Sequence, residues 1–370
     1  MNTQKTNSYG RLVAFFLVAI ALICALGFAA NGWQSDPDNE PDSGDTDKNN
    51  GDTDENKDGD ESTEQTPEPP ITETKYYNVL TGLEVDDVTS MKRPVAFVMD
   101  PLAPLYGISN TDIAVELPIE DGATRFLSIS QGAVDLGKVG SLLPTRGYIS
   151  NFAKYFGAVL VSLGIDDGII YDSADLSGAH FDLSKISGYH YTEYSKFVYT
   201  NGDLITAGLA NSGINSAIQK NSVLPFVFQE EESKMLLGNS ATSVIINYST
   251  TSSTEFTYNL ATKKYTLSKC GTEKKDLLND KSVAFDNLFV IFADSITYES
   301  KDACELVVNT LGAGDGYYIT GGTHVKIAWS TDASGNLIFT TEDGATLSVN
   351  RGTSYIGVVK SSRADDVTFS

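Results

Sequence analysis

The sequence predicts an α+β (or α/β) N-terminal domain followed by a smaller, mostly-β C-terminal domain, both behind a membrane anchor and a disordered acidic linker. Three observations predict it. An uncharged apolar run near the start gives way to a polar acidic tract, strand and helix periodicities then mix from Asn78 to about Gln229, and short β-runs separated by turn signals continue from about Ala241 to the end. The expected divisions are 1–32 for the anchor or signal segment, 33–75 for the linker, 76–235 for the N-terminal domain and 240–370 for the C-terminal domain.

Lys5 and Arg11 precede LVAFFLVAIALICALGFAA, residues 12–30, which hold no charge and are long enough to span a bilayer as a helix. The basic flank stays inside, so the expected location is the cell membrane, single-pass, with the bulk of the chain extracytoplasmic. A cleaved signal peptide is the competing reading, because Gly27 and Ala29 have the small side chains a cleavage site needs, but the apolar run exceeds the usual signal length. Ile23 before Cys24 argues against lipid attachment at that cysteine.

Residues 34–75 carry 15 acidic side chains against 3 lysines, a composition that cannot offset the entropy cost of ordering, so this stretch reads as a spacer. Within it Asp54, Asn56 and Asp58 imitate the start of a calcium loop, but Gln65 stands where a bidentate Glu belongs. A solvated tether is the simpler reading; neither a metal nor a cofactor is expected. The formal net charge of −23 argues against nucleic acid, whose phosphates are bound through Lys and Arg.

Strand-like runs follow at residues 94–100 (PVAFVMD), 158–164 (AVLVSLG) and 223–229 (VLPFVFQ), with helical spacing of Tyr148, Phe152, Tyr155 and Phe156 after Arg146 and a second helix over about 203–211. The densest stretch lies between, from Asp112 to Arg146. Residues 112–120 alternate, with Ile113, Val115, Leu117 and Ile119 on a core face and Asp112, Ala114, Glu116, Pro118 and Glu120 on an acidic one. Asp121-Gly122 predicts a two-residue turn, since both residues tolerate positive φ. That register pairs Glu120 with Ala123 and sets Arg125 opposite Pro118, on the face of Glu116 and Glu120, where its guanidinium can bridge both carboxylates. Pro118 lacks an N–H for the ladder, which predicts an edge strand or a bulge.

The C-terminal runs are SVIINYS, TEFTYNL, KYTLS, NLFVIFADS, CELVVNT, HVKIAWS, NLIFTT, TLSVN and SYIGVVK. Gly312-Ala-Gly314-Asp-Gly316 reads as a turn cluster and not as a nucleotide loop, because no helix follows to receive phosphates. His324 alternates outward with Lys326 as a surface residue, while His180 and His190 lie in a polar segment with Asp172, Asp175 and Asp182 where a metal or general-base role is conceivable, although the ligands lack the compact helical spacing of an HExxH site. Tyr189, Tyr191, Tyr194 and Tyr199 could stack on sugars or fill an ordinary half-buried strand. Cys270 and Cys304 could close one disulfide or remain separate thiols.

TGL (81–83), RPVAFVMD, DIAVE with Asp112 and Glu116, GATRF with Thr124 and Arg125, KVG followed by Arg146, and the closing GAGDGYYITGGTHVKIAW and DGATLSVNRGTSYIGVV together resemble the YerB-like family of bacterial envelope lipoproteins. The resemblance covers nearly all of the folded part and implies an N-terminal α/β-type domain with a smaller C-terminal one, in a family without an assigned activity. Where the family shows Gly-Pro-x-Arg-Ser-x-Arg, this chain has Leu143 in place of one arginine and keeps Arg146; a family histidine falls on Ser162.

The functional expectation is a binding or interaction module for cell-wall glycan or an envelope protein, with Asp112, Thr124, Arg125 and Arg146 in the binding role. The alternative is a glycan-cleaving enzyme with Glu116 or Glu120 as general acid, since glycosidic cleavage needs suitably placed carboxylates.

Overall fold

Eleven strands form the central sheet, drawn from both sides of residue 240. In chain order the elements that matter are α1 (Asp87–Ser90), β1 (Pro94–Met99), β2 (Ile113–Pro118), β3 (Thr124–Gln131), α2 (Gly147–Tyr155), β4 (Val159–Ser162), β5 (His180–Asp182) and α3 (Gly202–Asn211). They continue with β6 (Asn239–Ser240), β7 (Ser243–Asn247), β8 (Ser253–Asn259), β9 (Lys264–Lys269), β10 (Asn287–Ala293), β11 (Ala313–Thr320), β12 (Thr323–Thr331), β13 (Leu337–Thr341), β14 (Ser354–Lys360) and β15 (Val367–Phe369). The sheet order is β6-β12-β11-β10-β14-β2-β3-β1-β4-β5, with β13 also paired to β12. Strand β14, almost the last in the chain, runs parallel between β10 and β2 and so stitches the two halves of the sequence into one sheet.

This computed structural model describes residues 74–166, 178–218, 223–230, 238–299 and 304–370. The apolar run 12–30, nearly all of the linker, the calcium-like loop, Asp172 and Asp175 lie outside the described residues. Among the described residues no helix is long and apolar enough to cross a membrane. They all belong to one unit, Ile71–Ser370.

The architecture is mostly β, a correction to the α+β expectation for the N-terminal part. Among the described residues the α-helices are 4, 9 and 10 residues long, too few to form a helical layer of their own. Helix α2 packs Ile149 and Phe152, with Phe156 just past its end, on the face of the sheet that carries Ile113, Val115 and Leu117. The opposite face, with Ala114, Phe126 and Tyr355, is covered by a second small sheet built on β9-β8-β7-β15, whose Val244, Phe256 and Leu267 point inward. Both faces of β2 are therefore buried, and its six residues are all inaccessible, where the alternation had implied one solvated acidic face.

Two local expectations are corrected by the same topology. Strand β2 is central, not an edge, and Pro118 is tolerated because the pairing with β14 stops at Glu116, so the missing N–H costs no bond to β14. Gly314 and Gly316 lie in a strand, not in a turn: a Cβ at either would come within 2.3 and 2.5 Å of the carbonyl oxygens of Phe292 and Val290. The bare backbone there lets Trp329 lie close enough to donate its indole N–H to the Phe292 oxygen at 2.9 Å.

Candidate functional site

The register of the β2–β3 hairpin decides where the sequence-predicted residues go. Its loop is three residues, Glu120–Gly122, with Asp121 at φ 56° and Gly122 at φ 74°. Pro118 then pairs with Thr124 and Leu117 with Arg125. One residue of difference from a two-residue turn sends Arg125 to the face opposite Glu116, and the proposed bridge between Arg125 and Glu116 does not form.

Glu116 instead sits at the centre of a buried polar network between the two sheets. Its Oε1 accepts from the Thr124 hydroxyl at 2.6 Å and from the Lys269 ammonium at 2.5 Å, and its Oε2 accepts from the hydroxyls of Thr254 and Tyr355, each at 2.7 Å. Both side chains of the ion pair are 0% exposed. Lys269 spends its other two protons on Ser252 (3.1 Å) and Thr254 (3.0 Å). Because Tyr355 gives its proton to Glu116, Tyr248 must donate in the 2.9 Å contact between their hydroxyls. Burial, and then the Glu116 charge, push both phenols well above their ordinary range, so the proton stays on each. Every polar atom of this set has a partner, and none is open to a substrate.

Arg125, Arg146 and Glu120 do come together, on the other face. Arg125 donates to the Pro144 carbonyl and to Asp166, both at 2.8 Å. Arg146 donates to Glu120 at 2.7 Å and lies 3.6 Å from Glu305, while the other Glu120 oxygen accepts the Leu306 N–H at 2.7 Å. Two guanidiniums thus face three carboxylates, Glu120, Asp166 and Glu305, which leaves no surplus positive charge for an anionic ligand. Asp112 lies elsewhere, accepting from Asn78 (3.1 Å) and the Gln131 N–H (2.7 Å), and burial raises its carboxyl.

Two of the other candidates, Tyr199 and His180, are similarly engaged, whereas Tyr194 is exposed. Tyr199 is buried, and the Lys138 ammonium lies over its ring and that of Tyr106 at 4.0 and 3.9 Å, so the tyrosine cluster holds one of the protein's own cations. His180 Nε2 meets Ser162 Oγ at 2.9 Å; since that hydroxyl already donates to Gly164, the histidine is the donor. Cys270 and Cys304 are both exposed and unbonded.

What remains uncommitted is an open groove on the face of β11, β12 and β13 beyond the edge of the small sheet. Two adjoining hollows of about 600 and 450 Å³ share Tyr317, Lys326 and Glu342, and extend to His324 and Asn239 on one side and Asp315 on the other. Tyr317 lies opposite Lys326 across β11 and β12, and Glu342, in the turn that follows β13, lines the same two hollows. Among the described residues the side chains of Asp315, Lys326 and Glu342 make no hydrogen bond or ion pair. Tyr317 is braced edge-on by Phe369 at 4.9 Å, His324 at 5.5 Å and Phe292 at 5.9 Å, and Phe369 stacks on His324 at 4.0 Å. His324 Nδ1 contacts the Ser240 carbonyl at 3.2 Å, which can only accept, so Nδ1 carries the proton and Nε2 presents its lone pair.

Sequence reasoning placed His324 and Lys326 on the surface correctly but missed the groove. Its signal was present in the outward positions of HVKIAWS, but the wall comes from Phe369, more than forty residues away, and no local pattern announces that contact.

Burial lowers the affinity of both His180 and His324 for a proton below the ordinary histidine value. The unfolded chain therefore takes up protons as pH falls through about 6.5 while the fold resists them, so stability declines with acidification over that window. Denaturant titration at about pH 7.5 and about pH 5.5 checks this. The decline should shrink in the His180→Asn/His324→Asn chain; an equal decline contradicts the assignment.

Residues 80–215 match the family model described as "Protein of unknown function (DUF3048) N-terminal domain", and residues 244–356 match the model of its C-terminal domain. The chain is 26% identical over 309 residues to the protein named "Putative lipoprotein YerB" of Bacillus subtilis (strain 168), covering 80% of this chain and 90% of that one. The crystal structure of the YerB protein from Bacillus subtilis superposes with a TM-score of 0.68 at 24% identity, over 80% of this chain and 100% of that one, a likeness of fold.

Proposed function

We propose that this chain, which belongs to the family of proteins of unknown function DUF3048, is a binding module of the cell envelope whose contact surface is the groove over β11–β13. The observation that carries this reading is the convergence of unpaired polar side chains, Asp315, Lys326 and Glu342, on one braced aromatic ring in an open hollow. Charged groups that serve the fold find partners, as Glu116 and Arg146 do; a set left facing solvent around a concavity is available to a ligand. The relative named as a lipoprotein supports placement at the envelope, and the apolar run 12–30 would hold the chain at the membrane.

Binding is favoured over glycan cleavage by the state of the two carboxylates. A general acid must deliver a proton to the leaving oxygen. Glu116 is enclosed and saturated, and Glu120 is clamped between Arg146 and the Leu306 N–H.

The test is sedimentation of the full chain, in mild detergent, with purified cell wall. Retention in the pellet with no soluble fragments is expected. Release of fragments would overturn binding in favour of cleavage, and failure to pellet would overturn the wall as the contact in favour of a protein partner.

A further inference from the structure

Resting on that reading of the groove, we infer that its ligand is an uncharged polysaccharide carrying acetamido groups, laid across the three strands with one sugar ring against Tyr317.

The shape sets the first constraint. Strands lie about 4.8 Å apart, so the strip from Tyr317 on β11 past Lys326 on β12 to the turn after β13 that carries Glu342 extends for roughly 10 Å, and Asp315 and His324 flank it on either side. An extended chain of rings fits such a strip better than a single small molecule. A peptide entering as an added strand has no ladder to join at β12, whose free edge is taken by β6 at one end and β13 at the other; the outer edge of β13 is itself bridged at Thr340 by Thr346.

The charges set the second. The strip offers one ammonium and two carboxylates, all unpaired, and residues 76–370 carry net negative charge. A polyanionic wall polymer meets Asp315 and Glu342 as like charges, and a polycation meets Lys326. A neutral ligand with both donors and acceptors satisfies all three. The acetamido group does this in one unit: its C=O accepts from Lys326, and its N–H donates to a carboxylate. The His324 Nε2 lone pair then accepts from a ring hydroxyl.

The aromatic ring sets the third. Tyr317 is held by three rings, so stacking a sugar face on it costs little side-chain entropy. The Tyr317 hydroxyl has no partner among the described residues and is free to bond an adjacent sugar.

The experiment is calorimetric titration of the full chain with oligomers of N-acetylglucosamine, with inorganic polyphosphate as the anionic comparison. Saturable binding of the sugar oligomers and none of polyphosphate is expected. Tyr317→Ala should weaken binding by roughly tenfold, a change equivalent to the loss of a stacked ring, and Glu342→Ala, on the exposed rim, by a smaller factor without risk to the fold. Tyr298→Ala, at an exposed tyrosine on the separate hairpin Ser295–Glu299/Cys304–Val308, should leave binding unchanged. If the chain pellets with cell wall but binds no sugar oligomer, or if polyphosphate competes, the ligand class is wrong while the groove stands. If neither Tyr317→Ala nor Glu342→Ala alters retention on the wall, the groove itself is wrong and this inference falls with it.

Discussion

Glu116→Gln is expected to lower the free energy of unfolding by about 3–5 kcal/mol, among the largest losses available from one near-isosteric change in this protein. Among the described residues the carboxylate removed is the one counter-charge of Lys269, whose side chain has no exposed surface. An amide can accept from Thr124 or Tyr355, but it cannot balance a buried ammonium, and its own N–H₂ would face groups that already donate. Lys269→Met should cost a similar amount by stranding the carboxylate. The double change Glu116→Met/Lys269→Met should recover most of the loss, because exchanging a buried pair for packed apolar side chains is often neutral. Denaturant unfolding of the four chains measures this, and single variants that lose under about 1 kcal/mol would mean the pair is reached by water. The network joins β2, β3, β8, β9 and β14, so its loss should weaken the seam between the two sheets, not merely one strand.

Arg146→Ala is expected to cost about 3 kcal/mol. Arg146 lies at the N-terminus of α2 and reaches Glu120 in the hairpin loop and Glu305 in the Cys304–Val308 strand, both of which are nearly inaccessible. Removing the guanidinium takes away the positive charge that both carboxylates approach, at 2.7 and 3.6 Å. Arg146→Lys should restore little, since a single ammonium cannot hold partners on both sides of a planar fork. Equal stability of Arg146→Ala and the parent chain, read by denaturant unfolding, would contradict a structural role and return Arg146 to the candidates for ligand binding.

The contrast between those two clusters shows where the sequence was legible. The hairpin and its turn residues followed from Asp121-Gly122, whereas Arg146 was set beside Arg125 by the family resemblance alone. The register did not follow, because Glu120 joins the loop, and nothing local distinguishes a two-residue from a three-residue connection when Asp121 and Gly122 accept positive φ in either. That single step moved Arg125 across the sheet from Glu116.

The acidic face was misread for a related reason. Glu116 alternates like a surface residue, and what buries it is a sheet contributed by residues 243–285, with Lys269 153 positions downstream. Sequence periodicity reports which residues share a face but not whether another layer covers it. Helices α2 and α3 and the C-terminal strands were found close to their observed ends, since their patterns are local. The groove was not, because its set of side chains exists only once β11, β12 and β13 are in register and Phe369 has folded back beside them.

If the groove over β11–β13, and not the arginine cluster, meets the wall, side-chain footprinting of the full chain with and without purified cell wall should show Tyr317, His324, Lys326 and Glu342 protected, with Glu120, Arg125 and Arg146 unchanged. Protection of the arginine cluster, with the groove equally reactive in both states, would place the contact there instead.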